Sequence, residues 1–358
     1  MSSLASSSVP NGTKITIPYP CDFHHHFRQG PAISSLVPIA SQRFGTALAM
    51  PNTKPPITTV PLAIAYHDEL MAARKEGGGE MMEIVNVLYL TDNTTVETVD
   101  EMAKHDFIVG FKYYPAGATT NSDFGVTDFL KCYPVFSRLS DLNMVLCIHS
   151  EVSTPTVDIF DREKVFIETV ITKIVKDFPN LKIVMEHIST IHGVNFIKSL
   201  PETSKVVGSI TPHHIMYNRN ALLVGGVKPH FYCLPILKRE THRAALLEAA
   251  SSQSGRFIMG TDSAPHTVGS KESSCGCAGV FNGHAAVEMY VEAFESVGRL
   301  DALEDFIETG KKFYGIQDGG RTMELVKEEW RVEESMELGE DVVKPLRAGE
   351  MVKWKIVR

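Results

Sequence analysis

Short apolar runs recur along the whole chain, and turn-forming residues bound each run. Runs of four to eight apolar residues between turn signals predict buried β-strands. Eight stretches fit this description, at residues 14–24, 45–50, 81–90, 107–113, 143–149, 181–187, 205–211 and 256–262.

The stretches between these predicted strands mix polar and apolar residues at helical spacing. They cover residues 61–76, 96–105, 126–141, 162–178, 192–200, 239–252 and 284–297. Strands that alternate with helices predict parallel pairing. A G-x-G-x-x-G turn, the marker of an open doubly wound sheet, does not follow the first strand. We therefore predict an α/β protein with a (β/α)8 TIM barrel.

The two ends of the chain differ from this repeating pattern. Residues 1–13 are rich in serine and lack the apolar core of a secretory signal, so we predict a disordered lead-in and a cytoplasmic protein. Residues 14–358 then form a single domain, in which the charged segment 321–358 is a small peripheral C-terminal cap. Alternation over residues 350–357 predicts a short edge strand there.

Composition and charge exclude several classes of partner. The chain has 358 residues, of which 43% are hydrophobic and 22% charged, as in a globular protein. Its net charge of −8 and the lack of a basic run argue against nucleic acid. No apolar window approaches the length of a membrane span. The six cysteines are expected to be reduced, and the pair Cys275 and Cys277 is more typical of structural cysteines than of metal ligands.

Residues able to bind a metal stand where several predicted strands end, which is the edge at which barrels carry their active sites. The first strand runs into three consecutive histidines. The two-residue period of a strand places His24 and His26 on one face, with Arg28 following and His25 turned away. Two imidazoles in this arrangement can share one metal ion, although a surface histidine cluster would have the same sequence.

Lys112 closes the apolar run of the fourth strand. An inward-facing ammonium group would be costly to bury, and burial favours the neutral amine. A neutral lysine amine can react with carbon dioxide to form a carbamate, whose two oxygens could bridge two cations. Taken alone, the residue is more typical of a lysine whose amine reaches solvent.

Three further strands end in potential ligands. His149 closes the fifth strand, His187 the sixth and Asp262 the eighth. Each by itself is typical of a packed histidine or a helix-capping aspartate. Together with His24, His26 and Lys112 they predict a site for paired metal ions. Potential ligands at so many strand ends are poorly explained by chance.

From about residue 17 to the C-terminus the chain resembles the single-function dihydroorotases of the amidohydrolase superfamily. The first histidine cluster is similar to the family's H-x-H-x-R motif, and Lys112 lies in a segment similar to its K-x-Y-P motif. Further segments that resemble the family lie at residues 50–56, 118–122, 225–239, 260–266 and 271–279.

This resemblance implies a function and a role for each site residue. Such enzymes interconvert N-carbamoyl-L-aspartate and dihydroorotate in pyrimidine biosynthesis, and the resemblance also implies a homodimer. Two zinc ions per chain are implied, bridged by a carboxylated lysine. The implied ligands are His24, His26 and Asp262 for the more buried zinc, His149 and His187 for the second, and Lys112 for the bridge. Asp262 is also the implied catalytic proton carrier.

The same resemblance implies the substrate contacts. Arg28, Asn52 and His266 would hold the substrate carboxylate, main-chain atoms of Leu234 and Ala278 would hold the ring amides, and Thr119 and Thr120 would contact substrate from a mobile loop. His25 departs from the family, in which an apolar residue often separates the two ligands, and leaves the coordinating pair ambiguous. Two alternatives remain, a hydantoinase or dihydropyrimidinase and a non-catalytic barrel scaffold.

Overall fold

Eight parallel strands form the centre of the molecule, which a computed structural model describes for residues 9–79 and 81–357. The predicted strand at 14–24 is two strands, β1 (Lys14–Pro18) and β2 (Cys21–His25). Pro18 and Pro20 lack the N–H group that a continuous ladder needs, which explains the division. Only β2 belongs to the barrel.

The remaining barrel strands follow the predicted order. They are β3 (Thr46–Ala49), β4 (Glu83–Tyr89), β5 (Ile108–Tyr113), β6 (Val145–His149), β7 (Lys182–Glu186), β8 (Val206–Ile210) and β9 (Phe257–Met259). Each strand pairs in parallel with the next, from β2 to β9. An isolated parallel bridge between His25 and Ser263 joins the first strand to the segment after the last one. The predicted (β/α)8 barrel is confirmed.

Helices cover the outside of the strands. They are α1 (Ala32–Ser41), α2 (Val60–Glu76), α3 (Val96–Met102), α4 (Tyr133–Asp141), α5 (Arg162–Phe166), α6 (Thr172–Asp177), α7 (Ile191–Ser199), α8 (Pro212–Met216), α9 (Asn220–Leu223), α10 (Glu240–Ala250), α11 (Val268–Lys271), α12 (Ala286–Ser296) and α13 (Leu303–Tyr314). A π-helical turn, Ile167–Ile171, joins α5 to α6. Among the described residues no helix is both long and apolar enough to span a bilayer.

The hydrophobic core has two layers. The larger layer lies between the strands and the helices. The smaller one fills the barrel interior with residues such as Phe23, Cys147 and Val184. Tyr314, at the end of α13, stacks on Phe23 with ring centroids 4.3 Å apart. Side chains therefore fill the barrel interior, and a ligand can bind only at the ends of the barrel strands.

Short strands make up the C-terminal cap: β10 (Thr322–Val326), β11 (Trp330–Arg331), β12 (Met336–Leu338), β13 (Asp341–Val343), β14 (Met351–Val352) and β15 (Lys355–Ile356). The antiparallel sheet β1–β10–β15 joins the two ends of the chain, with β15 at its edge.

The predicted lead-in covers residues 1–13, of which residues 1–8 lie outside the described part of the chain. In its described part, the backbone N–H of Val9 donates to Glu295 and that of Gly12 donates to the carbonyl of Lys327. The division into lead-in, domain and cap stays a prediction.

The close approach of β5 to β6 predicts that any side chain at Gly110 destabilises the barrel. A Cβ atom at Gly110 would lie 1.8 Å from the carbonyl oxygen of Val145, which is backbone and cannot give way. We expect Gly110→Ala to lower the free energy of unfolding by about 3 kcal/mol and the Tm by about 5 °C, measured by calorimetry. The matched control is Gly269→Ala, because no described atom lies within 4 Å of that Cβ position. Equal melting temperatures for the two variants would contradict this account.

Candidate metal centre

The barrel's strand ends enclose a small cavity. Its lining residues are His24, His26, Arg28, Asn52, Tyr114, Thr119, Thr120, His149, His187, Leu234, Asp262, Ala264, Ala278 and Gly279. The cavity thus gathers all the predicted site residues except Lys112 and His266. Those two lie beside lining residues: Lys112 is buried against the ring of Tyr114, and the half-buried His266 lies against Arg28 and Ala278.

Asp262 and the two histidines from the first strand form one group of donor atoms. Oδ1 of Asp262 lies 3.1 Å from Nε2 of His26 and 3.4 Å from Nε2 of His24. His187 joins this group, since ligand atoms of His24, His187 and Asp262 all lie within 4.8 Å of one another. Buried nitrogen and carboxylate donors at such separations suit a zinc-like cation.

His149 and His187 form an adjacent pair. Nδ1 of His149 lies 3.2 Å from Nε2 of His187, and both side chains are buried. Two imidazole nitrogens that face each other need either a shared proton or a cation between them. The pair therefore extends the donor set and offers a place for a second ion.

Lys112 is fully buried next to these groups, and its amine has no hydrogen-bond partner among the described residues. Burial is the largest influence and lowers the pKa of the Lys112 amine, while Glu186 opposes it. A neutral amine is the form that reacts with carbon dioxide, so the environment suits the predicted carbamate.

A buried carboxylate stands behind one histidine of each group. Glu186 lies 2.9 Å from Nδ1 of His24, and Glu151 lies 3.1 Å from Nε2 of His149. Such partners fix the tautomer of a metal-binding imidazole and make it a stronger ligand. Sequence reasoning missed both glutamates, although an acid directly before His187 and another two residues after His149 were visible signals.

Three site residues have left-handed backbone conformations, which side chains rarely adopt. Their φ angles are 61° at Arg28, 38° at His187 and 46° at Asp262. Such a conformation costs of the order of 1–3 kcal/mol and persists only when neighbours enforce it. The N–H of His187 donates to Oγ of Ser209 over 2.7 Å, and the N–H of Asp262 donates to the carbonyl of His24 over 2.9 Å. These bonds hold the turns that aim both side chains into the cavity.

His25 lies away from the cavity. Its Nδ1 is 2.7 Å from the carboxylate of Asp22, and its ring packs against Phe27 at 4.4 Å between centroids. The geometry therefore favours His24 and His26 as the coordinating pair, as strand alternation predicts.

One wall of the cavity is cationic. Nε of the half-buried Arg28 donates to the carbonyl of Pro265, and its Nη2 lies 3.1 Å from Nε2 of His266. The same His266 nitrogen lies 3.0 Å from the carbonyl oxygen of Ala278, and one nitrogen cannot accept from the arginine and donate to the carbonyl at once. One of these two contacts of His266 is therefore not a hydrogen bond, which leaves a polar group of this wall available to an anionic ligand.

The predicted mobile loop closes over this wall. The amide of Asn52 donates to the carbonyl of Thr120 over 3.2 Å, and Oγ1 of Thr120 donates to the carbonyl of Ala278 over 3.2 Å. Asn121 donates in return to the carbonyl of Asn52. Thr119 and Thr120 therefore lie directly above the space between the metal-binding and cationic walls.

Lys271 fixes the two loops that hold the remaining predicted substrate contacts. Its buried ammonium donates to the carbonyls of Tyr232, Cys277 and Gly279 over 2.7–2.8 Å. These bonds tie the segment before Leu234 to the segment around Ala278. Sequence reasoning missed this lysine, because a lysine followed by polar residues is more typical of an exposed loop.

The comparisons with known proteins agree with this architecture, although no family model matches the chain. A dihydroorotase from Vibrio vulnificus is 51% identical over 345 residues, covering 96% of this chain and 99% of the relative. The solved structure of a dihydroorotase from Saccharomyces cerevisiae, in complex with 5-fluoroorotic acid, superposes with a TM-score of 0.89 at 30% identity. The superposition covers 96% of this chain and 98% of the yeast chain. An L-hydantoinase from Arthrobacter aurescens shares the fold, with a TM-score of 0.77 at 18% identity, and covers 96% of this chain and 83% of its own.

The barrel and its ring of strand-end ligands define a member of the amidohydrolase superfamily. Within that superfamily, the near-complete coverage at about half identity is decisive. The chain belongs to the dihydroorotase family.

The contact between Glu151 and His149 predicts a role in metal retention. We expect Glu151→Gln to lower the affinity for the metal ion at His149 by about 10- to 100-fold, because the imidazole of His149 loses its anionic partner. The measurement is zinc remaining per chain after dialysis against a graded series of chelator concentrations. The exposed Glu248→Gln serves as control. Identical zinc curves for the two variants would remove Glu151 from the metal site.

Proposed function

We propose that the chain catalyses the reversible cyclisation of N-carbamoyl-L-aspartate to dihydroorotate and water. The observation that carries the proposal is that one small cavity is lined both by the cationic Arg28 and by a buried set of candidate metal ligands. A substrate with both a carboxylate and a hydrolysable amide fits that pairing. The family of the chain supports the same reaction.

Two zinc ions are the proposed cofactors. His24, His26 and Asp262 would hold one ion and His149 and His187 the other, with a carboxylated Lys112 between them. The unpartnered, buried amine of Lys112 and the facing imidazoles fit this assignment. Zinc bound there would supply a hydroxide nucleophile at neutral pH and polarise the amide carbonyl.

The protein's own side chains would do the positioning. Arg28, Asn52 and His266 hold the substrate carboxylate, and the planar guanidinium matches its two oxygens. Main-chain atoms of Leu234 and Ala278 hold the ring amides. Thr119 and Thr120 cover the substrate and exclude water from the site.

Asp262 would carry the proton. Burial raises the pKa of this carboxylate, but nearby His24 and His26 outweigh that effect and hold the pKa well below its usual range, so the group starts ionised. In hydrolysis it accepts the proton of the attacking nucleophile and passes it to the departing ring nitrogen. In cyclisation it removes the proton from the carbamoyl nitrogen as that atom closes on the side-chain carboxyl, and water leaves.

The competing functions are weaker on specific grounds. A hydantoinase acts on rings without a carboxylate and gives Arg28 and His266 no role, and the similarity to the hydantoinase structure extends to the fold alone. A non-catalytic scaffold would have no use for a complete set of ligands. We further propose a homodimer, as the resemblance to the family implies, and a cytoplasmic location.

Substrate and metal are tested together in one assay. We expect the purified protein to consume dihydroorotate, followed by its ultraviolet absorbance, and to lose at least about 90% of this activity after chelation, since the nucleophile depends on the metal. Added zinc should restore the rate. Turnover of hydantoin without turnover of dihydroorotate would overturn the proposed substrate, and chelator-resistant activity would overturn the proposed chemistry.

Arg28→Lys tests the carboxylate grip. A lysine keeps the charge but cannot present two parallel N–H groups, so we expect KM for dihydroorotate to rise about 10- to 100-fold. The exposed Arg331→Lys, on the C-terminal cap, should behave like the unmodified protein. Unchanged kinetics in the Arg28→Lys variant would place the carboxylate elsewhere.

A further inference from the structure

We propose that the phenol of Tyr114 is a further catalytic residue, which donates a hydrogen bond to the substrate oxygen that gains negative charge when the ring amide is attacked. This role deepens the proposed function and rests on it. The phenol keeps its proton throughout, so no bond beyond those of the hydrolysis itself forms or breaks.

Tyr114 stands at the carboxyl end of β5, two residues after Lys112. The amine of Lys112 lies 5.0 Å from the centroid of the Tyr114 ring, and the His149 ring lies 6.3 Å from it. The side chain lines the cavity beside the proposed metal ligands. It therefore lies beside the proposed metal ligands, where the amide carbonyl has to bind if the proposed metal ions are to polarise it.

The hydroxyl of Tyr114 has no hydrogen-bond partner among the described residues, although it is shielded from solvent. Other buried or half-buried tyrosines near the strand ends are satisfied. Tyr66 donates to the carbonyl of Arg28 over 2.7 Å, Tyr89 to that of Asn121 over 3.3 Å, and Tyr290 to that of Ile210 over 2.6 Å. An unpaired buried hydroxyl costs about 1–3 kcal/mol, and such an exception calls for a ligand that completes it.

The other hydrogen-bond donors at the cavity are occupied elsewhere or would bind a different part of the substrate in the proposed complex. Arg28 and His266 face the carboxylate end, and Thr120 already donates to the carbonyl of Ala278. His149, which lies beside Tyr114 in the cavity lining, is a proposed metal ligand. A neutral phenol held there before the reaction begins is a preorganised donor for developing charge, which is the arrangement that lowers a barrier most effectively.

The decisive variant is Tyr114→Phe, which removes one oxygen atom and keeps the ring that packs on Lys112. We expect kcat to fall about 10- to 100-fold in both directions of the reaction, with KM changed less than about threefold, since the bond strengthens only as charge develops. The zinc content and the Kd for 5-fluoroorotic acid should stay within about threefold of the unmodified values. These two readouts separate the role from a loss of structure.

Tyr113→Phe is the matched control. Tyr113 precedes Tyr114 on the opposite face of the strand, where it lies 6.2 Å from Phe166 between ring centroids in the outer core. The same chemical change there should leave kcat and KM unaltered.

The outcomes separate this role from the proposed function. An active unmodified protein whose Tyr114→Phe variant keeps its kcat within twofold overturns the role alone. A rise in KM with unchanged kcat also overturns it, because the phenol would then bind the ground state. An unmodified protein that fails to turn over dihydroorotate overturns the proposed function, and the role of Tyr114 with it.

Discussion

Closure of the barrel between its first and last strands is the constraint on which the site depends. The carboxylate of Asp22 on β2 accepts hydrogen bonds from the N–H and the hydroxyl of Thr261, just after β9, over 2.8 and 2.6 Å. One residue further on, the N–H of Asp262 donates to the carbonyl of His24. Because His24 and Asp262 lie on this seam, closing the sheet also brings the first group of candidate metal ligands together.

The site concentrates ionisable groups that a barrel without a cation would hold at high cost. Lys112, Glu151 and Glu186 are all buried, and Lys112 and Glu186 each keep a polar atom without a partner in the described part of the chain. Burial of an unpaired charge costs several kcal/mol. Bound cations would neutralise the carboxylates and order the facing imidazoles, so metal binding and stability of this end of the barrel are coupled.

The sequence was sufficient for the features that depend on local periodicity. Strand alternation separates His24 and His26 from His25, and a charged residue that ends an apolar run marks Lys112 and Asp262. These inferences need only the two-residue period of a strand and the rule that barrels act at their strand ends. The placement of the ligands around one cavity follows from the closed topology.

The features that escaped prediction depend on contacts between distant segments or on weak local signals. The pairing of Glu186 with His24 joins residues 162 positions apart, and no periodicity announces it. The left-handed conformation of His187 is imposed by Ser209 on the next strand. Helices α1 and α13 were also missed. The first contains Pro38, which is atypical of a helix interior, whereas Leu303, Phe306 and Ile307 in α13 do have helical spacing.

The walls of the cavity differ in how firmly the chain holds them, and this difference explains how substrate can enter a closed site. The metal wall is made of strand ends, which the barrel fixes. The three bonds of Lys271 make the loops around Tyr232 and Gly279 one unit, nearly as well fixed. The loop that contains Thr120 is tied to both walls mainly by neutral hydrogen bonds to Asn52 and Ala278. Neutral bonds of this kind contribute only about 1 kcal/mol each, so this loop is the part that can open without disturbing the candidate metal ligands.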